Sequence, residues 1–251
     1  MEVHKHPHHI THSKKWGEYA LEFLMLFLAV FLGFLAENQR ESIVERHREK
    51  EYIISMIEDL QVDTANLSKV IDGYGKLVSR LDTTIIGFDN GVQTFSESWS
   101  NNFIRTVGGG FPDFYQSDRT IEQLKNAGGM RLILDETAVL GIINYDASVK
   151  DYSLEATVLE KVQEKYHDEV LKVWSVNKMY KDAEINSWVK IWKKGIHNNY
   201  WITKDPVAFE YLFNRLANYK DAASRMERDC RNIKTNAVRL IELLKKEYHL
   251  E

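Results

Sequence analysis

The chain has little of what usually staples, breaks or charges a domain. Cys230 is the only cysteine in 251 residues, which excludes a disulfide framework and a cysteine-ligated metal cluster. Three prolines (Pro7, Pro112, Pro206) and thirteen glycines leave long intervals free of helix breakers, and that scarcity points to an all-α chain. A net charge of −4 supplies no basic footprint, so nucleic acid is not an expected partner. Catalytic signatures are missing too: no HExxH, GxSxG, CxxC or Walker loop occurs. Gly108, Gly109 and Gly110 resemble a phosphate-cradling loop only until the missing Lys-Ser/Thr is noticed. His47, His167, His197 and His249 are scattered, with no Ser or Cys nucleophile context beside them. No reaction can be named, and the expectation is a non-enzymatic protein without a cofactor.

What the chain does have is one long apolar run. Residues 16–36 read WGEYALEFLMLFLAVFLGFLA, and from Phe23 to Ala36 every residue is apolar or Gly. About twenty residues of helix are needed to cross roughly 30 Å of hydrocarbon. Only a helix or a closed barrel satisfies its backbone polar groups there, and a Leu/Phe-rich run without Pro selects helix. Trp16 and Tyr19 flank the run as interfacial anchors would. Polar sequence resumes abruptly at Glu37, which argues against a helix buried in a soluble core. Gly33 and Ala36 are separated by Phe34 and Leu35, so no small-x-small cleavage site follows the run. The expectation is an uncleaved signal anchor of a bacterial inner membrane. Residues 1–15 would be a cytoplasmic tail and 37–251 a periplasmic helical domain.

Two acids interrupt the start of this run. Glu18 and Glu22 are four residues apart and share a helical face. Glu22 lies about 9 Å along the span at 1.5 Å per residue. An ionisable group at that depth is a candidate functional site, for proton or ion coupling or for pairing with a partner's cation; the plainer reading is a side chain that reaches back to the head groups. The tail before it carries His4, His6, His8, His9 and His12. Neutral imidazoles can bind a transition metal, but no carboxylate or thiol completes a ligand set. A weakly basic, flexible tail is the expectation.

The remainder alternates long helices with two irregular stretches. Over 43–88, positions 54, 57, 60, 64, 67, 71, 74, 78, 81 and 85 form an apolar seam at steps of three and four. Residues 89–117, rich in Gly, Ser and Asn, read as an irregular cap. A short helix is expected over 118–126, ended by Gly128 and Gly129. A third long helix is expected over 136–183, N-capped by Asp135, with a partly polar seam. Residues 184–204 concentrate Trp188, Trp192 and Trp201 beside three lysines. If the third helix returned antiparallel to the first, these indoles would face the lipid interface; otherwise they close the end of the bundle core. The last helix should start at Pro206 behind Asp205, with Cys230 on its seam as a small core residue.

Two segments carry a resemblance. Glu22, the apolar run and Glu37-Asn38-Gln39-Arg40-Glu41 form one; Thr120 to Ile133, TIEQLKNAGGMRLI, forms the other. Together they resemble a family of small single-pass membrane proteins of Bacteroidota, with a helical extracytoplasmic domain and no established function. Leu21 stands where that family has Gly before the acid, and the family's closing Trp is absent. The resemblance implies the same topology and no activity. The expected function is therefore a membrane-anchored structural or accessory subunit that binds other membrane or envelope proteins as a homo- or hetero-oligomer. A sensor-like, ligand-binding bundle signalling through a partner is the alternative, and Glu22-dependent coupling the third.

Overall fold

The computed structural model describes residues 15–89, 97–126, 128–181 and 200–250. It is all-α, with no strand among the described residues. The chain divides into two compact units, Met1–Glu51 and Tyr52–Glu251. Helix α1 (Trp16–Asp89, 74 residues) supplies the described part of the first unit and opens the second.

Four helices of the second unit follow their local signals. α3 (Arg119–Asn126) stops before Gly128, whose φ of 66° is a left-handed conformation that a glycine adopts without strain. A 3-10 turn (Gly129–Leu132) comes next. α4 (Glu136–Val173) begins where the Asp135 carboxylate accepts from the Ala138 amide at 2.7 Å. α6 (Pro206–Glu247) begins where the Asp205 carboxylate accepts from the Val207 amide at 3.0 Å. The expected seam of α6 is buried in full, from Leu212 through Cys230 to Leu244. α5 (Val176–Lys181) is a short turn of helix between α4 and the connection to α6.

Three expectations are corrected. Residues 89–117 are not merely irregular, because they contain α2 (Glu97–Val107). Trp99, Phe103, Ile104 and Val107 form its buried face, a helical period that its Ser and Asn residues obscure. The third helix ends at Val173 rather than Ala183. Trp174 leaves the helix in an extended conformation, the Ser175 amide donates to the Tyr200 carbonyl, and the Ile202 amide donates to the Val173 carbonyl, both at 2.9 Å. Pairing with a distant segment, and no local breaker, ends α4 there. The seam of α1 is buried as expected at Ile57, Leu60, Leu67, Ile71, Tyr74 and Leu81, and only its first position differs. Ile54 is 40% exposed, while Ile53 and Met56 are buried.

Contacts fix the directions of the helices within the second unit. Asp63 of α1 meets Tyr145 early in α4, and Phe88 of α1 stacks on Phe209 and Phe213 of α6. The ring of Trp174, after α4, meets Trp201, which in turn packs on Phe209. At the other end, Leu240 and Leu243 of α6 close over Gly141 of α4. α1 and α4 therefore run parallel, and α6 runs antiparallel to both. The chain returns between α1 and α4 through α2 and an extended stretch. Along this stretch Gln163 donates to the Gly109 carbonyl, Pro112 packs on Gly73, and the Ser117 amide bonds Asp63. The expected cap is thus the second, descending layer of an up-down-up-down bundle.

Candidate functional site

The apolar run keeps its sequence character in three dimensions. Its richest 18-residue window has a mean hydropathy of 2.2 and none of it is buried. α1 is thus long and apolar enough to span a membrane. Trp16 is 89% exposed and Tyr19 56%. At 100° per residue, Glu18, Glu22, Met25, Ala29, Gly33 and Ala36 fall within about 80° of arc. Phe23, Phe27, Phe31 and Phe34 occupy the opposite side. Phe23, Phe27 and Phe31 stack successively, with centroids 6.4 and 5.9 Å apart. One face is small and acidic, the other bulky and aromatic. Just past the run, Arg40 grips Glu37 with two hydrogen bonds of 3.0 and 2.5 Å, which lowers the pKa of that carboxyl.

Inside the second unit, two carboxylates lie on the buried face of α1. Asp59 accepts from the Thr120 amide at 3.0 Å, the Thr120 hydroxyl at 2.5 Å and the Arg119 guanidinium at 3.1 Å. Asp63 accepts from the Ser117 amide at 2.7 Å and the Tyr145 hydroxyl at 2.6 Å. Burial raises the pKa of Asp63, while these hydrogen bonds oppose the rise. The pair caps α3 from another helix and ties the descending segment to α1 and α4. Neither acid stood out in the sequence, although each sits beside the apolar seam. Both oxygens of each acid accept from donors of the chain, and that ties these segments together.

At the far end of the bundle from Tyr52, Trp99, Phe103, Trp174, Trp201 and Phe209 form a continuous aromatic cluster. Trp201 is half-buried within it. The premise that placed this indole at a lipid interface, an antiparallel α4, is not met. Trp188 and Trp192 lie outside the described residues, as do His4, His6, His8, His9 and His12. No cluster of three His, Cys, Asp or Glu able to hold a metal exists among the described residues. Cys230 is fully buried, and burial pushes its thiol up to about 12.

Two concave surfaces lie among the described residues. A cleft of about 300 Å³ between α4 and α6 is lined by Asn144, Asn236 and Arg239, among others. A groove of about 530 Å³ lies between α1, α2 and α6, lined by Lys76, Ser79 and Arg80 from α1, Asn102 and Arg105 from α2, and Arg231 from α6. Lys76 pairs with Asp72 and Arg231 with Glu227, each at 2.6 Å. No protein-family model, curated protein or solved structure matches this chain.

Proposed function

We propose that this protein is a non-enzymatic accessory subunit, anchored in the bacterial inner membrane by residues 16–36, whose helical domain lies in the periplasm. The reading includes kinship with the Bacteroidota family of single-pass proteins. One observation carries it: the apolar run is a two-faced helix. Lipid tails are as apolar as Phe or Leu, so helices associate in a membrane by close packing and polar contacts rather than by the hydrophobic effect. Ala29, Gly33 and Ala36 allow a neighbouring backbone to approach. Glu18 and Glu22 put carboxylates on the same face, within reach of a partner's donor or cation. The Phe stripe then faces lipid. A helix that served only as an anchor would have no need of such asymmetry.

The test is native mass measurement of the full-length protein after gentle extraction from its own membrane, with Glu22→Gln alongside. A defined homo- or hetero-oligomer is expected. Gly33→Leu, which blocks close approach while keeping the run apolar, should dissociate it. A monomer in every mild detergent would overturn the reading. Assembly that survives Glu22→Gln, with its biological activity lost, would move Glu22 from assembly to proton or ion coupling.

A further inference from the structure

α4 is apolar on two opposed faces. Ile142, Tyr145, Val149, Tyr152 and Leu159 are buried against the rest of the bundle. At 100° per residue, Leu140, Ile143, Ala147, Leu154 and Val158 fall within about 60° of arc on the other side. All five are exposed, and the four large ones keep between 46% and 69% of their surface. A helix on the outside of a bundle ordinarily turns polar and charged residues to that side. Here no charge falls within the arc between Leu140 and Val158, a stripe about 27 Å long at 1.5 Å per residue. Lys150 and Asp151 flank its middle, one on each side, and Glu155 continues the acidic side.

We propose that a second copy of the chain docks on this stripe, with the two α4 helices side by side and parallel. The charges choose the occupant. A two-fold axis along the helices brings the basic flank of one copy against the acidic flank of the other. Lys150 then meets the second copy's Asp151 and Glu155, and the reverse. An antiparallel pair about the same midpoint would set Lys150 against Lys150 and Asp151 against Asp151. Lys150 holds Asp146 at 2.9 Å within its own chain, but Asp146 also holds Lys125 at 2.7 Å. Lys150 can therefore turn outward without stranding that acid. Ala147, near the middle of the stripe, lets the two backbones come close. The proposal goes beyond the oligomer reading above, because it concerns the second unit and uses no residue of the span.

The experiment is oxidative crosslinking of the full-length protein in mild detergent, with single cysteine reporters. Leu140→Cys and Leu154→Cys lie along the axis of a parallel pair, where equivalent residues come within disulfide reach, so each should join to its own copy. Glu160→Cys, exposed on the same helix but outside the stripe, should not. Cys230 is buried and does not compete. Asp151→Lys should lower the Leu154→Cys yield about fivefold or more, because it sets like charges together, and Lys150→Glu added to it should restore the yield. Gly33→Leu, the variant that tests the span, should leave this crosslink in place, so the two readings fail separately. Leu140→Cys joining only to Val158→Cys would mean an antiparallel pair and overturn the proposal. So would a yield no higher than that of Glu160→Cys, or one indifferent to Asp151→Lys.

Discussion

At the scale of the residue, the buried carboxylates of α1 set the strongest constraints. Asp59→Ala removes the cap of α3 and leaves Thr120 and Arg119 without their acceptor. A loss of about 2–4 kcal/mol is expected, read as a lower urea midpoint. Asp63 tests the electrostatics. Its pKa is raised in the folded state, chiefly by burial, so the folded chain holds this proton more tightly than the unfolded chain. Its contribution to stability therefore declines as pH rises from the unfolded value of about 4 through the folded value, and is level above it. Asp63→Asn does not titrate; its one acceptor oxygen can keep the Ser117 amide, while its NH2 faces the Tyr145 hydroxyl, which can turn to accept. The stability of the native chain relative to this variant should thus improve as pH is lowered from neutral towards 4. A difference independent of pH would refute the assignment.

Among the elements, α2 is the most informative. Gly87 of α1 faces the Trp99 indole, which occupies the space a Cβ would need, and the Trp99 Nε1 donates to the Thr84 carbonyl at 2.9 Å. Gly87→Ala should therefore push α2 off α1 at a cost of about 1–3 kcal/mol, visible as a red shift and quenching of tryptophan emission. Gly73 does the same for Pro112. These glycines look like weak points in a helical pattern, and they are docking points for the descending segment. That segment was hard to read because its helical period is short and diluted by Ser, Asn and Gly. The end of α4 was illegible for another reason: its stop comes from backbone pairing with residues 200–202, far along the sequence. α6 was legible because its caps and its seam are both local.

Across the whole molecule, the two units differ in what they expose. The first unit exposes an apolar surface that water does not tolerate at that extent, while the second buries a core of ordinary composition. Leu26→Arg, at the middle of the run, should cost about 3 kcal/mol or more of membrane insertion. The variant should shift from the carbonate-resistant pellet towards the supernatant; unchanged retention would show that the run is not the anchor. The single thiol offers a different kind of access. Cys230 lies midway along α6, fully covered by the bundle, with its ionisation suppressed by burial. An alkylating reagent can reach it as a thiolate only when α6 lifts away. While reclosing outpaces labelling, the ratio of its labelling rate to that of an unfolded thiol equals the equilibrium constant for that opening. The chain thus carries its own internal gauge of how often the bundle opens, read without denaturant and without an added probe.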